Sequence, residues 1–361
     1  MLEPWEGQPA PRLYGFTAKQ IARALVLVAG GASYRSTAAL IRTQAGRELA
    51  TATGVGKDGR VLAAPNAHGQ LVADWVQVFA PIIWRAHAPT CWSGSLLLDE
   101  AEFRFSRPGA PRGVLAFVVL GVIGYPADGV PFVAALEAVP RGTVSAWQAL
   151  LGSLDGAPAV VVTDGGPAKL AATQAWSAAG QQRPELRRCE WHLSRNITQS
   201  LPDQVQRDRT DPIHPLIADA QRTLKGWRAL RKEIDVRARS GGYLTATKTV
   251  HTNDALIRKQ IATRRRQGPH TTGALEQFFH QLDTTIGDRA SRLTNKTRAD
   301  ALLHLLAAHR NNWANEATWA ELIRSELLTR QGLAPQQRQH TDPTDEPSLR
   351  PPLPAPAEVD F

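Results

Sequence analysis

Two aspartates are candidates for chemistry because apolar segments deliver them. Asp99 closes the run Leu96-Leu97-Leu98-Asp99, and Asp164 follows the β-branched stretch 157–163, in Thr163-Asp164-Gly165-Gly166. A carboxylate at the mouth of a buried strand is costly unless it is solvated or bound to something. Carboxylate oxygens are hard ligands suited to Mg²⁺, an ion that keeps part of its water shell and needs few protein groups. Two such ions about 3.5–4 Å apart can stabilise both the attacking and the leaving oxygen of a phosphodiester. A third acid, Glu276, lies beside the apolar stripe Leu275, Phe278, Phe279 and Leu282 and can face the same sheet. Each acid also has an ordinary reading. An Asp before Gly-Gly is commonly a turn or a helix cap. Asp99 could be an edge-strand acid, with Glu100 and Glu102 as alternatives on the opposite face of the strand. Glu276 could be a solvent-facing helix acid.

The elements that would position these acids follow from the hydrophobic pattern. Segments 96–105, 113–125 and 130–139 read as strands joined by short turns at Pro108-Gly109 and 126–129. A helix over 143–154, a strand over 157–163, a helix over 167–179, a strand over 185–190 and a helix near Trp191 follow. The order β-β-β-α-β-α-β-α is that of an RNase H-like domain, an α/β fold with a mixed sheet and helices on both faces. Strands one and four are neighbours in such a sheet, which would bring Asp99 and Asp164 together at one edge.

Other segments frame this core. Residues 1–15 should be loose. In residues 16–50, Thr17 and Gln20 have capping-box spacing, Gly30-Gly31 stops the first helix and Ser33 caps a second. This pattern suggests a helix-turn-helix with Tyr34, Arg35 and Ser36 opening the recognition helix, where base edges are contacted; an ordinary helical hairpin is the alternative. Residues 51–94 read as a Gly-containing linker and a helix over 68–87, kinked or broken at Pro81. The core would run over 95–200, a basic helical insertion over 201–270, and the rest of the core with C-terminal helices over 271–330. The Pro- and Gln-rich segment 331–361 should be a disordered tail.

The charge is uneven. Of 361 residues, 42 are Lys or Arg and 33 Asp or Glu, a net +9. Segment 201–270 alone has 15 basic against 7 acidic residues. A local excess of this kind fits a surface that tracks phosphates. Arg264-Arg265-Arg266 is either part of that surface or a solvated charge run. Trp227 in the same block is either a core residue or a platform for a flipped base. No apolar run is long enough for a bilayer, the first residues lack the blocks of a signal peptide, and Cys91 and Cys189 are too few for a disulfide framework. A cytoplasmic protein without a membrane partner is expected.

The segment Arg188-Cys189-Glu190-Trp191-His192-Leu193-Ser194-Arg195-Asn196 resembles the Cys-x-x-His signature, followed by Arg-Asn, of bacterial mutator-type insertion-sequence transposases. These are relatives of the Mutator-like elements. The spacing of Asp99, Asp164 and Glu276 is similar to that family's acidic triad, and 201–270 occupies the place of its helical insertion. The resemblance spans roughly residues 16–325 and carries most of the case for Glu276. It implies a DDE transposase that holds two Mg²⁺ (or Mn²⁺ in their place) on Asp99, Asp164 and Glu276. It further implies that the enzyme cuts terminal inverted repeats of double-stranded DNA, joins them to target DNA, and acts as a homodimer or larger assembly in the bacterial cytoplasm, on nucleoid DNA. Cys189 and His192 would support the active site, and Arg195 with Arg264–Arg266 would contact DNA. Cys189 and His192 by themselves do not make a zinc site, which needs four ligands in a structural role. His309-Arg310-Asn311-Asn312-Trp313 is similar to a segment of related enzymes and has no role assigned. A decayed or domesticated DNA-binding protein and another RNase H-like nuclease are the competing readings.

Overall fold

The computed structural model describes residues 12–13, 16–44, 53–55, 61–63, 67–88, 92–107, 110–126, 130–154, 156–176, 183–263, 268–287, 293 and 295–332. Arg264–Arg266 lie outside these; of residues 1–15, expected to be loose, Arg12 and Leu13 pair antiparallel with Thr17 and Phe16 and the rest lie outside, and of the expected tail 331–361, Gln331 and Gly332 close a helix and the rest lies outside. The chain is α/β, built on a mixed five-stranded sheet. Its strands are β1 (Trp92–Arg107), β2 (Ala110–Tyr125), β3 (Phe132–Val139), β4 (Gly156–Thr163) and β5 (Glu185–Arg188). The sheet order is β3-β2-β1-β4-β5; the β1–β2 and β2–β3 pairs are antiparallel, and β1–β4 and β4–β5 are parallel.

Side chains alternate across this sheet, so each strand feeds two cores. Leu97, Phe117, Val119, Val160 and Val162 point to one face; Leu96, Leu98, Leu120, Val122 and Val161 point to the other. The second face is covered by α4 (Val144–Gly152) and α5 (Gly166–Ala175), with Trp147 and Ala171 fully buried. The first face carries the larger layer: α1 (Ala18–Ala29), α2 (Tyr34–Gln44), α3 (Ala67–His87), α11 (Gly273–Ile286), α12 (Lys296–Arg310) and α13 (Glu316–Gly332).

A third apolar core belongs to α6 (Glu190–Gln199), α7 (Asp203–Arg207), α8 (Ile213–Asp219), α9 (Leu224–Ala238) and α10 (Leu244–Thr263). Leu193 and Ile197 of α6 join it to the sheet's end. Trp227 is fully buried in this core and donates its indole N–H to Asp254 Oδ1 at 2.8 Å. Its ring is therefore a packing element with no face open to a base.

At the N-terminal side the Thr17–Gln20 capping box forms as the spacing predicts, and Ser33 Oγ accepts the Ser36 N–H at 3.1 Å to start α2. Both helices share the apolar core of α3, α12 and α13. Two expectations change. Pro81 neither breaks nor ends α3, because Trp75, Val76, Phe79, Ala80 and Ile83 are buried on both sides of it and hold the helix together. The expected linker contains a short antiparallel hairpin, Thr53–Val55 with Val61–Ala63. No helix among the described residues is long and apolar enough to cross a membrane.

Candidate active site

Asp99 lies in the middle of β1 rather than near its end, because β1 runs well past its pairing with β4. That pairing stops at Leu98 opposite Thr163, the last residue of β4. Asp164 therefore leaves the sheet level with Asp99 on the adjacent parallel strand. Asp99 has the parity of Leu97 and Asp164 that of Val162, the residues of the face covered by α11. Asp99 is only 4% exposed. Glu100 points to the opposite face, where its carboxylate accepts the Trp147 indole N–H at 3.2 Å. Glu102 pairs at the surface with Arg104 at 2.8 Å. Asp99 is thus the acid that β1 contributes.

Helix α11 reaches this face because β2 offers a glycine there. Gly121 pairs with Asp99, and a Cβ on Gly121 would lie 2.7 Å from Phe279 Cζ and 2.9 Å from Leu275 Cδ2. Glu276 sits in the first turn of α11, where the helix N-terminus favours a carboxylate.

One residue ties the pieces together. Thr272, the N-cap of α11, is fully buried. Its Oγ1 is 3.4 Å from Cys189 Sγ, 3.2 Å from His192 Nδ1 and 3.2 Å from Glu276 Oε1. The Thr272 hydroxyl also favours the charged form of the Asp99 carboxyl. The Thr272 backbone N–H donates to Cys189 Sγ at 3.4 Å, and His192 Nδ1 lies 3.8 Å from Glu276 Oε1. Cys189 is anchored in turn, its N–H donating to Thr163 O at 2.7 Å just before Asp164.

Arg188, the last residue of β5, supplies the cation. Its guanidinium lies against Gly165, a residue with φ +104° whose Cβ position it fills. The Asn196 amide oxygen accepts from Arg188 Nη2 at 2.6 Å while the amide nitrogen donates to His192 O at 3.3 Å. The backbone of Arg188 is held at both groups by the buried Gln260 side chain, at 3.0 and 3.1 Å.

Burial is the main influence on both aspartates. Burial pushes the Asp99 carboxyl up to about 7, against the pull of His192 and with a further push from Asp164. Burial also raises Asp164, opposed by Arg188 and then His192. Burial lowers Arg188, and Asp164 opposes that shift. Among the described residues, the group of ligand atoms close enough to share a metal ion is Cys189, His192 and Glu276, each within 4.8 Å of the others; Asp99 and Asp164 are not part of it. A thiolate and an imidazole suit softer ions such as zinc, but the sulfur is fully buried and already accepts from both Thr272 donors.

Of the residues singled out in the sequence, Cys189, His192 and Glu276 come together around Thr272, and Asp99 and Asp164 both lie within the influence of His192. Arg195 lies on the outer side of α6 over the exposed Trp191 ring, 5.3 Å from its centroid. Arg35 and Ser36 are exposed on α2 and Tyr34 packs on the core of that layer, away from this cluster. Thr272 and Arg188 were not foreseen as site residues. The Thr-Thr-Gly start of α11 reads only as a helix cap, whereas Arg188 stands in the quoted signature beside Cys189. Compared with known proteins, the chain matches no family model and no curated sequence.

Proposed function

We propose that this chain is a DDE-class transposase of the mutator type, with an RNase H-like catalytic domain whose α7–α10 segment is a basic helical insertion. The observation that carries the reading is the convergence of Asp99 and Asp164, from adjacent strand positions, on the face where α11 lies with Glu276. The sheet order β3-β2-β1-β4-β5 is the one an RNase H-like domain has, and the arrangement of acids agrees with the sequence resemblance.

Asp99, Asp164 and Glu276 would hold two Mg²⁺, or Mn²⁺ in their place. When bound, such ions supply an activated oxygen nucleophile and neutralise charge at the phosphorus. The chain's own groups set the geometry. Thr272 and His192 orient the Glu276 carboxylate, and Arg188 offsets part of the charge of Asp164. The buried, preorganised cluster needs little rearrangement during reaction. The overall chemistry is two phosphoryl transfers. Water cleaves a P–O bond at the terminal inverted repeat and leaves a 3′-hydroxyl. That hydroxyl then attacks a target phosphodiester, one ester bond forming as one breaks. The partners are double-stranded DNA ends and target DNA, engaged by a homodimer or larger assembly in the bacterial cytoplasm.

The test is cleavage and strand transfer on duplexes carrying the element's terminal repeats, with Mg²⁺. Wild type is expected to nick at the repeat end, and Asp164→Ala to lose activity by about 10³-fold or more. Full activity in Asp164→Ala would overturn the reading. Cleavage indifferent to the repeats would favour a general nuclease, and metal-independent binding without nicking a DNA-binding protein.

A further inference from the structure

Immediately past Asp164 a groove of about 520 Å³ runs between the start of α5, the C-terminal half of α6, and one face of α10. We infer that this groove is the track for the sugar–phosphate backbone of the DNA strand entering the carboxylate cluster. The inference rests on the proposed reading of that cluster.

Composition is the first ground. Lys169 and Arg188 line the groove together with Asn196, Ser200, Thr249 and Asn253, and no lining residue is acidic or a hydrocarbon side chain. A wall of hydroxyls, amides and two cations can donate to phosphate oxygens and sugar oxygens without reading bases. Shape is the second ground. The α10 residues that line it, from Thr245 to Asn253, recur at helical spacing on one face. They extend along about 12 Å of helix, the length of three or four nucleotide steps. At the other wall, α5 begins at Gly165-Gly166 without a side-chain cap, and the Cβ position of Gly166 meets only open space. A phosphate can therefore approach the backbone there, at the positive end of the helix dipole.

The disposition of cations is the third ground. The insertion is basic in composition, yet several of its arginines are held by its own acids. Arg237 pairs with Asp211 at 2.8 Å and Glu233 at 2.7 Å, and Arg231 with Asp254 at 2.7 Å. Lys169, on the α5 wall of the groove, is half-buried with no carboxylate within ion-pair distance among the described residues. Arg188 lies between the groove and Asp164, so a backbone following the groove is led to the carboxylates.

The experiment is metal-free binding of a fluorescein-labelled terminal-repeat duplex, followed by anisotropy in chelator across a range of salt. Lys169→Glu and Asn253→Asp are the groove variants, Lys169→Gln the milder one, and Lys232→Glu on the exposed side of α9 the control. Thermal melts select variants that fold as wild type does. The groove variants with reversed or added charge should bind about tenfold more weakly, and Lys169→Gln should lower the salt slope by about one. Lys232→Glu should stay within about twofold. Wild-type affinity in folded Lys169→Glu and Asn253→Asp overturns the groove. Because binding is read without metal, the two readings fail separately. Wild type that cleaves at repeat ends while groove variants bind normally removes the groove alone. Groove variants that lose binding while wild type never cleaves remove the catalytic reading and leave the groove as a nucleic-acid site.

Discussion

The Thr272 hydroxyl has one proton and faces the Cys189 sulfur, His192 Nδ1, Glu276 Oε1 and the Asp99 carboxylate. One donor cannot serve the Cys189 sulfur and Glu276 Oε1 at once, and the part played by His192 Nδ1 depends on its tautomer, so the hydroxyl's service is to hold these groups at fixed separation. Thr272→Val keeps the shape and deletes the donor. It is expected to lower the cleavage rate constant about tenfold or more with the KM for DNA little changed, as losses behind a ligand typically do. Thr272→Ser should restore the rate, which a purely packing role would not predict; single-turnover kinetics reads both. The burial of Asp99 makes a second prediction. Its folded pKa of about 7 lies above the ordinary 3.8, so its contribution to stability is full below pH 3.8 and is lost as pH rises through 7. In chelator, Asp99→Asn should therefore melt higher than wild type at pH 8, with the gain shrinking toward pH 4, while losing cleavage. Equal melting temperatures at pH 8 would contradict this. Both aspartates stood out in the sequence, since a carboxylate directly after an apolar run is a conflict that can be seen without coordinates. Thr272 did not, because a threonine before a helix is ordinary and most of the groups it faces come from α6 and β1, far away in the chain.

Helices and strands reach the site only through local permissions that lie elsewhere in the chain. Gly121 is one, since a Cβ at this position would press on Phe279 and Leu275. Gly121→Ala should cost about 1–3 kcal/mol in a denaturant melt, the usual range for an overfilled core. It should also lower cleavage, because α11 carries Glu276 when it moves off the sheet. An unaffected rate would mean that the helix relaxes without displacing the acid. Gln260 is another. Its amide pairs with both backbone groups of Arg188 on the edge strand β5, replacing the neighbour strand that edge lacks. Gln260→Leu should leave a buried N–H and C=O unpaired, costing about 1–3 kcal/mol. Hydrogen exchange should quicken at the Arg188 amide while central β4 amides stay protected. These permissions explain what the sequence conceals. The run ending at Thr163 marks β4 plainly, and the turn residues mark most boundaries within a few positions. The length of β1 beyond Asp99 depends on β2 alone, and the continuity of α3 through Pro81 depends on packing on both sides of it. Neither is written in the segment itself.

Across the whole molecule, net charge is a poor guide to where a polyanion would sit, because many cations are tied to partners. Lys296 is a case far from the groove, held by Glu137 at 2.6 Å and Asp300 at 2.8 Å between α12 and β3. About two turns along α12 from Lys296, His304 lies flat on Trp84, ring centroids 5.0 Å apart and planes 5° from parallel. Burial, with Lys296 adding to it and a hydrogen bond to Leu136 opposing, holds its pKa down to about 4 from 6.5. The folded state then binds fewer protons than the unfolded chain between these values. The stability this residue contributes is present above pH 6.5 and is lost as pH falls through 4, about 3 kcal/mol by linkage. Asp99 acts with the opposite sign over an overlapping window, so the two flatten the wild-type pH profile. The effect of His304 is therefore best read in the Asp99→Asn background, as the difference in melting temperature with and without His304→Phe. Phenylalanine keeps the stack on Trp84 and cannot take up a proton. The His304→Phe protein should gain on its parent steadily as pH falls from 7 to 4, whatever constant offset the lost Leu136 hydrogen bond introduces. A gap that stays constant over that range would mean that His304 protonates in the folded protein as readily as in the unfolded chain, and that the layer joining α3, α12 and the sheet admits a charge.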